Sequence, residues 1–98
     1  MSDDSSSSAS VFRLSVHFSG RVQGVGFRYE TLQIAKGFDV TGFVKNLPDG
    51  RVQLEVEGEK AEVTAFVQQV EDDLASFIRE TEKCSEQGEP RFFNFTIQ

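Results

Sequence analysis

The chain has 98 residues, enough for one domain, and carries a formal charge of −6 at pH 7. That balance argues against a nucleic-acid binder, which needs a positive surface against the phosphate backbone. The single cysteine, Cys84, excludes an internal disulfide, and no apolar run approaches the ~20 residues that cross a bilayer.

Residues 1–10 hold six serines, two aspartates and no branched apolar side chain. Such a segment cannot bury enough surface to offset its ordering entropy, so a disordered tail is expected, followed by one domain over 11–98. The tail has neither the apolar core of a signal peptide nor the arginines of a transit peptide, and a cytoplasmic protein is expected. Phe12, Leu14, Val16 and Phe18 then alternate with Arg13, Ser15, His17 and Ser19, the period of a half-buried strand. Next comes Gly20-Arg21-Val22-Gln23-Gly24-Val25-Gly26-Phe27-Arg28, a glycine-rich turn leading into a helix. Phe27, Thr31, Ile34 and Ala35 share one face of that helix, closed by Gly37. A turn of this kind gathers backbone N–H groups in one concavity, and the helix dipole reinforces its attraction for an anion. Arg28 adds a planar fork suited to a phosphoryl group. Between Ser5 and Tyr29 there is no acidic residue, while Arg13, Arg21 and Arg28 all fall there. The turn is therefore the most positive part of a negative chain.

Val40–Asn46 reads as a second strand and Val52–Val56 as a third, joined across Pro48-Asp49-Gly50 by a tight hairpin. Val63, Phe66, Val67, Val70 and Leu74 mark a second amphipathic helix. A weaker strand is expected near Phe77–Cys84 and a last one over Phe92–Ile97. The acidic set from Glu55 to Glu62 reads as a solvated strand face and helix start. The order β-α-β-β-α-β with an extra short C-terminal strand predicts an α+β, ferredoxin-like two-layer sandwich. Its antiparallel sheet is covered on one face by two helices. In that topology strands 1 and 2 run the same way with strand 3 between them. The glycine turn and Asn46 then share one edge, roughly 10 Å apart. The docking of the last strand does not follow from the pattern.

The residues from Gly20 to Arg28 resemble the phosphate-loop signature of the acylphosphatase family. Gly42-Phe43-Val44-Lys45-Asn46 followed by Asp49-Gly50-Arg51-Val52 resembles its second signature. The resemblance covers roughly residues 12–98 and is strongest through Gly58. It implies metal-independent hydrolysis of the carboxyl–phosphate bond of acyl phosphates to a carboxylate and inorganic phosphate, with no cofactor. Carried over by motif position, Arg28 binds the phosphate, together with Gly20, Arg21, Val22, Gln23, Gly24 and Val25, and Asn46 orients the attacking water. The implied partners are a small acyl phosphate and inorganic phosphate as product and inhibitor, with neither nucleic acid nor membrane, and a monomer is the expected state. The sequence departs from the family pattern at Gly26 and Leu47 and lacks its Gly-Pro turn after the second helix.

Rival readings are weaker. Phe43 and Phe92 fall out of the apolar sets of their strands and suggest an aromatic sheet face like that of an RRM-type RNA-binding domain. The basic aromatic strand of that module is missing. A cysteine phosphatase would need arginine where Pro90 stands, and the glycine turn fits neither Gly-x-x-x-x-Gly-Lys-Ser/Thr nor Gly-x-Gly-x-x-Gly. Cys84 and His17 are the only soft ligands, which argues against zinc. A non-catalytic phosphate-binding module keeps the fold without turnover. An acylphosphatase-like domain also begins the long hydrogenase-maturation carbamoyltransferases, against which a stand-alone enzyme is expected here.

Overall fold

The structure, a computed structural model, describes residues 10–98; the expected Ser/Asp-rich tail lies outside the described residues apart from Ser10. Seven elements follow in chain order: β1 (Val11–Gly20), α1 (Phe27–Ala35), β2 (Val40–Asn46), β3 (Val52–Gly58), α2 (Lys60–Asp73), β4 (Ile78–Gly88) and β5 (Phe95–Ile97). They form one five-stranded sheet in the order β4-β1-β3-β2-β5.

β3 lies between β1 and β2 and is antiparallel to both, with Val16 and Val44 opposite Leu54. This is the split arrangement expected from two right-handed crossovers. The expected antiparallel sheet therefore holds for the four long strands. The short terminal strand is the departure, since β5 runs parallel to β2, with Phe95 beside Gly42 and Ile97 beside Val44. A single connection that crosses from β4 over the sheet to its far edge brings the chain back in that direction.

Period-two alternation places Val16, Phe18, Val44, Val52, Leu54 and Val56 on one face of the sheet, all fully buried. The helices complete that layer with Phe27, Thr31 and Ala35 from α1 and Val63, Phe66, Val67 and Val70 from α2. Phe12 and Phe95 pack against the edge of this core rather than inside it. The hairpin forms as its residues predict, with Leu47 N–H donating to Arg51 O at 2.8 Å and Gly50 N–H to Leu47 O at 3.1 Å.

Two expectations need correction. β4 runs to Gly88 instead of ending near Cys84, and β5 begins at Phe95 instead of Phe92. As an edge strand β4 is polar along nearly its whole length, so it carries no apolar alternation to mark where it stops. The acidic set is not wholly solvated either: Glu57 is 1% exposed and paired with Arg13, itself 3% exposed. Arg13 Nε donates to Glu57 Oε2 at 2.9 Å, and Arg13 also reaches Glu86 Oε2 at 2.7 Å and Glu89 O at 2.7 Å. The other Glu57 oxygen accepts from the N–H of Arg91 at 2.6 Å and of Phe92 at 2.9 Å. The segment between β4 and β5 thus closes over the polar face and is held there by a buried charge pair. Phe43 and Phe92, the two aromatics outside the apolar sets, meet edge to face on this side, ring centres 5.7 Å apart.

Candidate active site

Each end of the glycine turn is anchored differently. At its start Arg21 N–H donates to Phe77 O at 2.9 Å, and Val22 drops into the core with 1% exposure. The Gln23 side chain reaches across to the hairpin, where its Nε2 donates to Leu47 O at 2.8 Å and Arg51 O at 2.9 Å. That tie fixes the turn relative to the end of β2, which carries Asn46. At its other end Gly26 is the N-cap of α1 at φ 80°, ψ 16°, a left-handed conformation that favours glycine. Alternation of left-handed and ordinary residues is the backbone pattern that forms an anion-binding concavity. Among the described residues the N–H groups of residues 22–26 find no acceptor. Side chains added at Gly24 or Gly26 would meet nothing within 4 Å, so the space beside them is open.

Beside the turn lies a cavity of about 170 Å³, several times the ~30 Å³ that a liquid water molecule takes up. Arg28, from the first turn of α1, and Asn46, the last residue of β2, both line it, with Val22, Gly24 and Gly26 between them. The shared edge expected from the topology is therefore present. Arg28 Nη1 donates to the carbonyl of Gln98 at 2.9 Å, which holds the guanidinium in place. Asn46 Oδ1 is buried and receives no hydrogen bond from the described residues. A buried amide oxygen without a donor is uncommon, because desolvation without compensation is costly. Asn46 as a residue lines the cavity, beside the glycine turn and Arg28.

Val22, Gly24, Arg28 and Asn46, among the residues expected at the site, meet on this cavity. Gln23 and Val25 stand behind it, the first as the tie to the hairpin and the second packed on the core. Gly20 and Arg21 go elsewhere, to a separate depression formed with Ser76–Arg79. Four wall residues were not expected at the site from the sequence, namely Gly26, Phe27, Tyr29 and Ile97, and neither was the Gln98 carbonyl behind Arg28. Gly26 and Phe27 lie inside the glycine motif and Tyr29 directly follows it, so these were legible in principle. Ile97 and Gln98 were not, since they depend on where β5 docks.

A family model described as Acylphosphatase matches residues 14–97. The chain belongs to the acylphosphatase family. An acylphosphatase of Archaeoglobus fulgidus is 47% identical over 57 residues, which are 58% of this chain and 64% of that protein. The chain spans somewhat less than two thirds of the length of several curated acylphosphatases that it matches. Among solved structures, the acylphosphatase of Bacillus subtilis superposes with a TM-score of 0.71 at 28% identity, covering 89% of this chain and 98% of that one. HypF of T. kodakarensis superposes with a TM-score of 0.76 at 28% identity, over 89% of this chain and 12% of that longer protein. The α+β, ferredoxin-like architecture of these acylphosphatase structures is the one found here.

Proposed function

We propose that the protein is a monomeric cytoplasmic acylphosphatase that hydrolyses the carboxyl–phosphate bond of small acyl phosphates without a metal. The observation that carries this reading is the convergence of Arg28 and Asn46 on one cavity beside the glycine turn. The phosphoryl group rests against Arg28, the amides of residues 22–26 and the positive end of α1. The Asn46 side-chain amide hydrogen-bonds the attacking water and aims the water oxygen at phosphorus. An amide side chain cannot take a proton near neutral pH, so a phosphate oxygen of the substrate accepts it. The carboxylate leaves readily, so positioning and charge stabilisation supply the catalysis and no covalent intermediate is needed.

Hydrolysis of benzoyl phosphate in the presence of a chelator tests the reading. Turnover that persists with the chelator and is inhibited by inorganic phosphate is expected. Binding of phosphate with no turnover would instead establish a non-catalytic phosphate-binding module. On the other face Phe92 is turned onto Phe43, with the buried Arg13–Glu57 pair beside them. The chain is acidic and lacks the basic aromatic strand of an RRM-type domain, so titration with RNA is expected to show no binding.

A further inference from the structure

The depression that takes Gly20 and Arg21 is built by a specific irregularity. Ser19 pairs with Glu80 and Gly20 with Ile78, so Arg79 is left without a counterpart on β1, the signature of a β-bulge. The bulge depends on Gly20, at φ 129°, because a Cβ there would lie 2.5 Å from Phe77 O and 2.7 Å from Arg79 N. Bulges re-aim side chains and are common beside active sites. Here the irregularity brings Arg79 and Arg21 to the walls of one depression.

The pairing of the arginines singles these two out. Of the six in the chain, Arg13 is bound to Glu57 and Glu86, Arg28 to the Gln98 carbonyl and Arg51 to Asp49, and Arg91 lies 3.8 Å from Glu86. Arg21 and Arg79 have no ion-pair or side-chain hydrogen-bond partner among the described residues. Glu82, further along β4, faces Arg51 at 3.7 Å. In a chain of net charge −6, two unneutralised guanidinium groups thus share one hollow. Arg21 immediately precedes Val22, which lines the phosphate cavity. The hollow is lined from the ends of β1 and β4, and the strand residues of the cavity are Asn46 of β2 and Ile97 of β5, so the two meet through the glycine turn, where Arg21 lines one and Val22 the other.

We propose that the Arg21–Arg79 depression is a second anion subsite, and that it selects acyl phosphates whose acyl group ends in a further anionic group, a carboxylate or a second phosphate. The proposal rests on the acylphosphatase reading for the location of the first phosphate. A singly functional acyl phosphate leaves the hollow untouched. One with a remote anion bridges both sites, and its extra charge meets the two free guanidinium groups.

Succinyl phosphate and butyryl phosphate, which differ in a remote carboxylate, provide the kinetic test. Arg79→Gln is expected to raise KM for succinyl phosphate about three- to tenfold, the range for partly exposed charge-assisted contacts, and to leave butyryl phosphate within about twofold. Arg79→Lys is expected to restore part of the difference. Equal changes for both substrates, or none for either, would overturn the subsite. A binding measurement separates its failure from that of the activity. Two non-hydrolysable ketophosphonates, one ending in carboxylate and one in methyl, are titrated while the Arg21 and Arg79 Nε–H resonances are followed. Only the carboxylated compound is expected to shift them. No shift with either compound overturns the subsite whatever the turnover. A shift without hydrolysis of either acyl phosphate upholds the anion site and removes the acylphosphatase reading.

Discussion

Glu57→Ala is the most informative single perturbation of the fold. It leaves the Arg13 guanidinium, 3% exposed, with only Glu86 and the Glu89 carbonyl, and strips the N–H groups of Arg91 and Phe92 of their acceptor. Breaking one side of a buried charge pair typically costs ~3–5 kcal/mol, since the remaining charge stays desolvated. A domain of this size is stable by roughly 4–13 kcal/mol, so the variant is expected to lose about a quarter or more of its stability. With a urea slope of about 1–1.5 kcal/mol/M, the midpoint of equilibrium unfolding should fall by about 2–5 M. The damage should also spread in a definite direction. The Glu57-bound amides lead into β5, whose end places the Gln98 carbonyl on Arg28. Amide hydrogen exchange over Phe95–Ile97 should therefore quicken more than exchange in β3. In the double variant Arg13→Met with Glu57→Leu, no charge is stranded, so it should be less destabilised than Glu57→Ala. A midpoint shift below ~0.7 M with unchanged exchange in β5 would refute the view that this pair clamps the terminal segment.

Other outcomes follow from the site. Arg28→Ala and Asn46→Ala should each lower the rate of benzoyl phosphate hydrolysis ~100- to 1000-fold, the usual loss for one well-placed electrostatic or orienting group; a near-wild-type rate in either variant would remove that residue from the chemistry. Asn46→Ala should at the same time change thermal stability by no more than about 1 kcal/mol, because its Oδ1 accepts nothing from the described residues. Gln23→Ala gives up two hydrogen bonds to the hairpin and should cost about 1–2 kcal/mol while weakening inhibition by phosphate, measured by urea unfolding and by the inhibition constant. Asp49 is held below the usual carboxylate value of 3.8 by the Arg51 N–H, against desolvation, and by the Arg51 side chain. Its contribution to stability is therefore present above that value and disappears as pH falls through the lowered one. An NMR titration should show the depressed midpoint, and Arg51→Ala should move it upward.

The sequence by itself determined whatever depends on neighbours along the chain. The alternation in β1 and β3, the helical spacing of Phe27–Ala35 and Val63–Val70, the hairpin at Pro48–Gly50 and the glycine turn ahead of Arg28 are local patterns. The handedness of crossovers then carries them to the shared edge of turn and Asn46. The two motifs also marked the family, because they lie close together along the chain, between Gly20 and Val52. Tertiary structure alone decided what depends on segments distant in sequence. Arg13 and Glu57 alternate like solvent-facing residues, and only the return of residues 89–92 over that face buries them as a pair. The parallel docking of β5 set Ile97 and Gln98 at the cavity, and no periodicity in a three-residue strand signals its partner. Gly20 and Arg21 belong to the glycine motif by sequence, yet a bulge formed with β4, some sixty residues away, turns them to the neighbouring hollow. Periodicity reports which face a residue takes, whereas burial and pairing depend on what later covers that face.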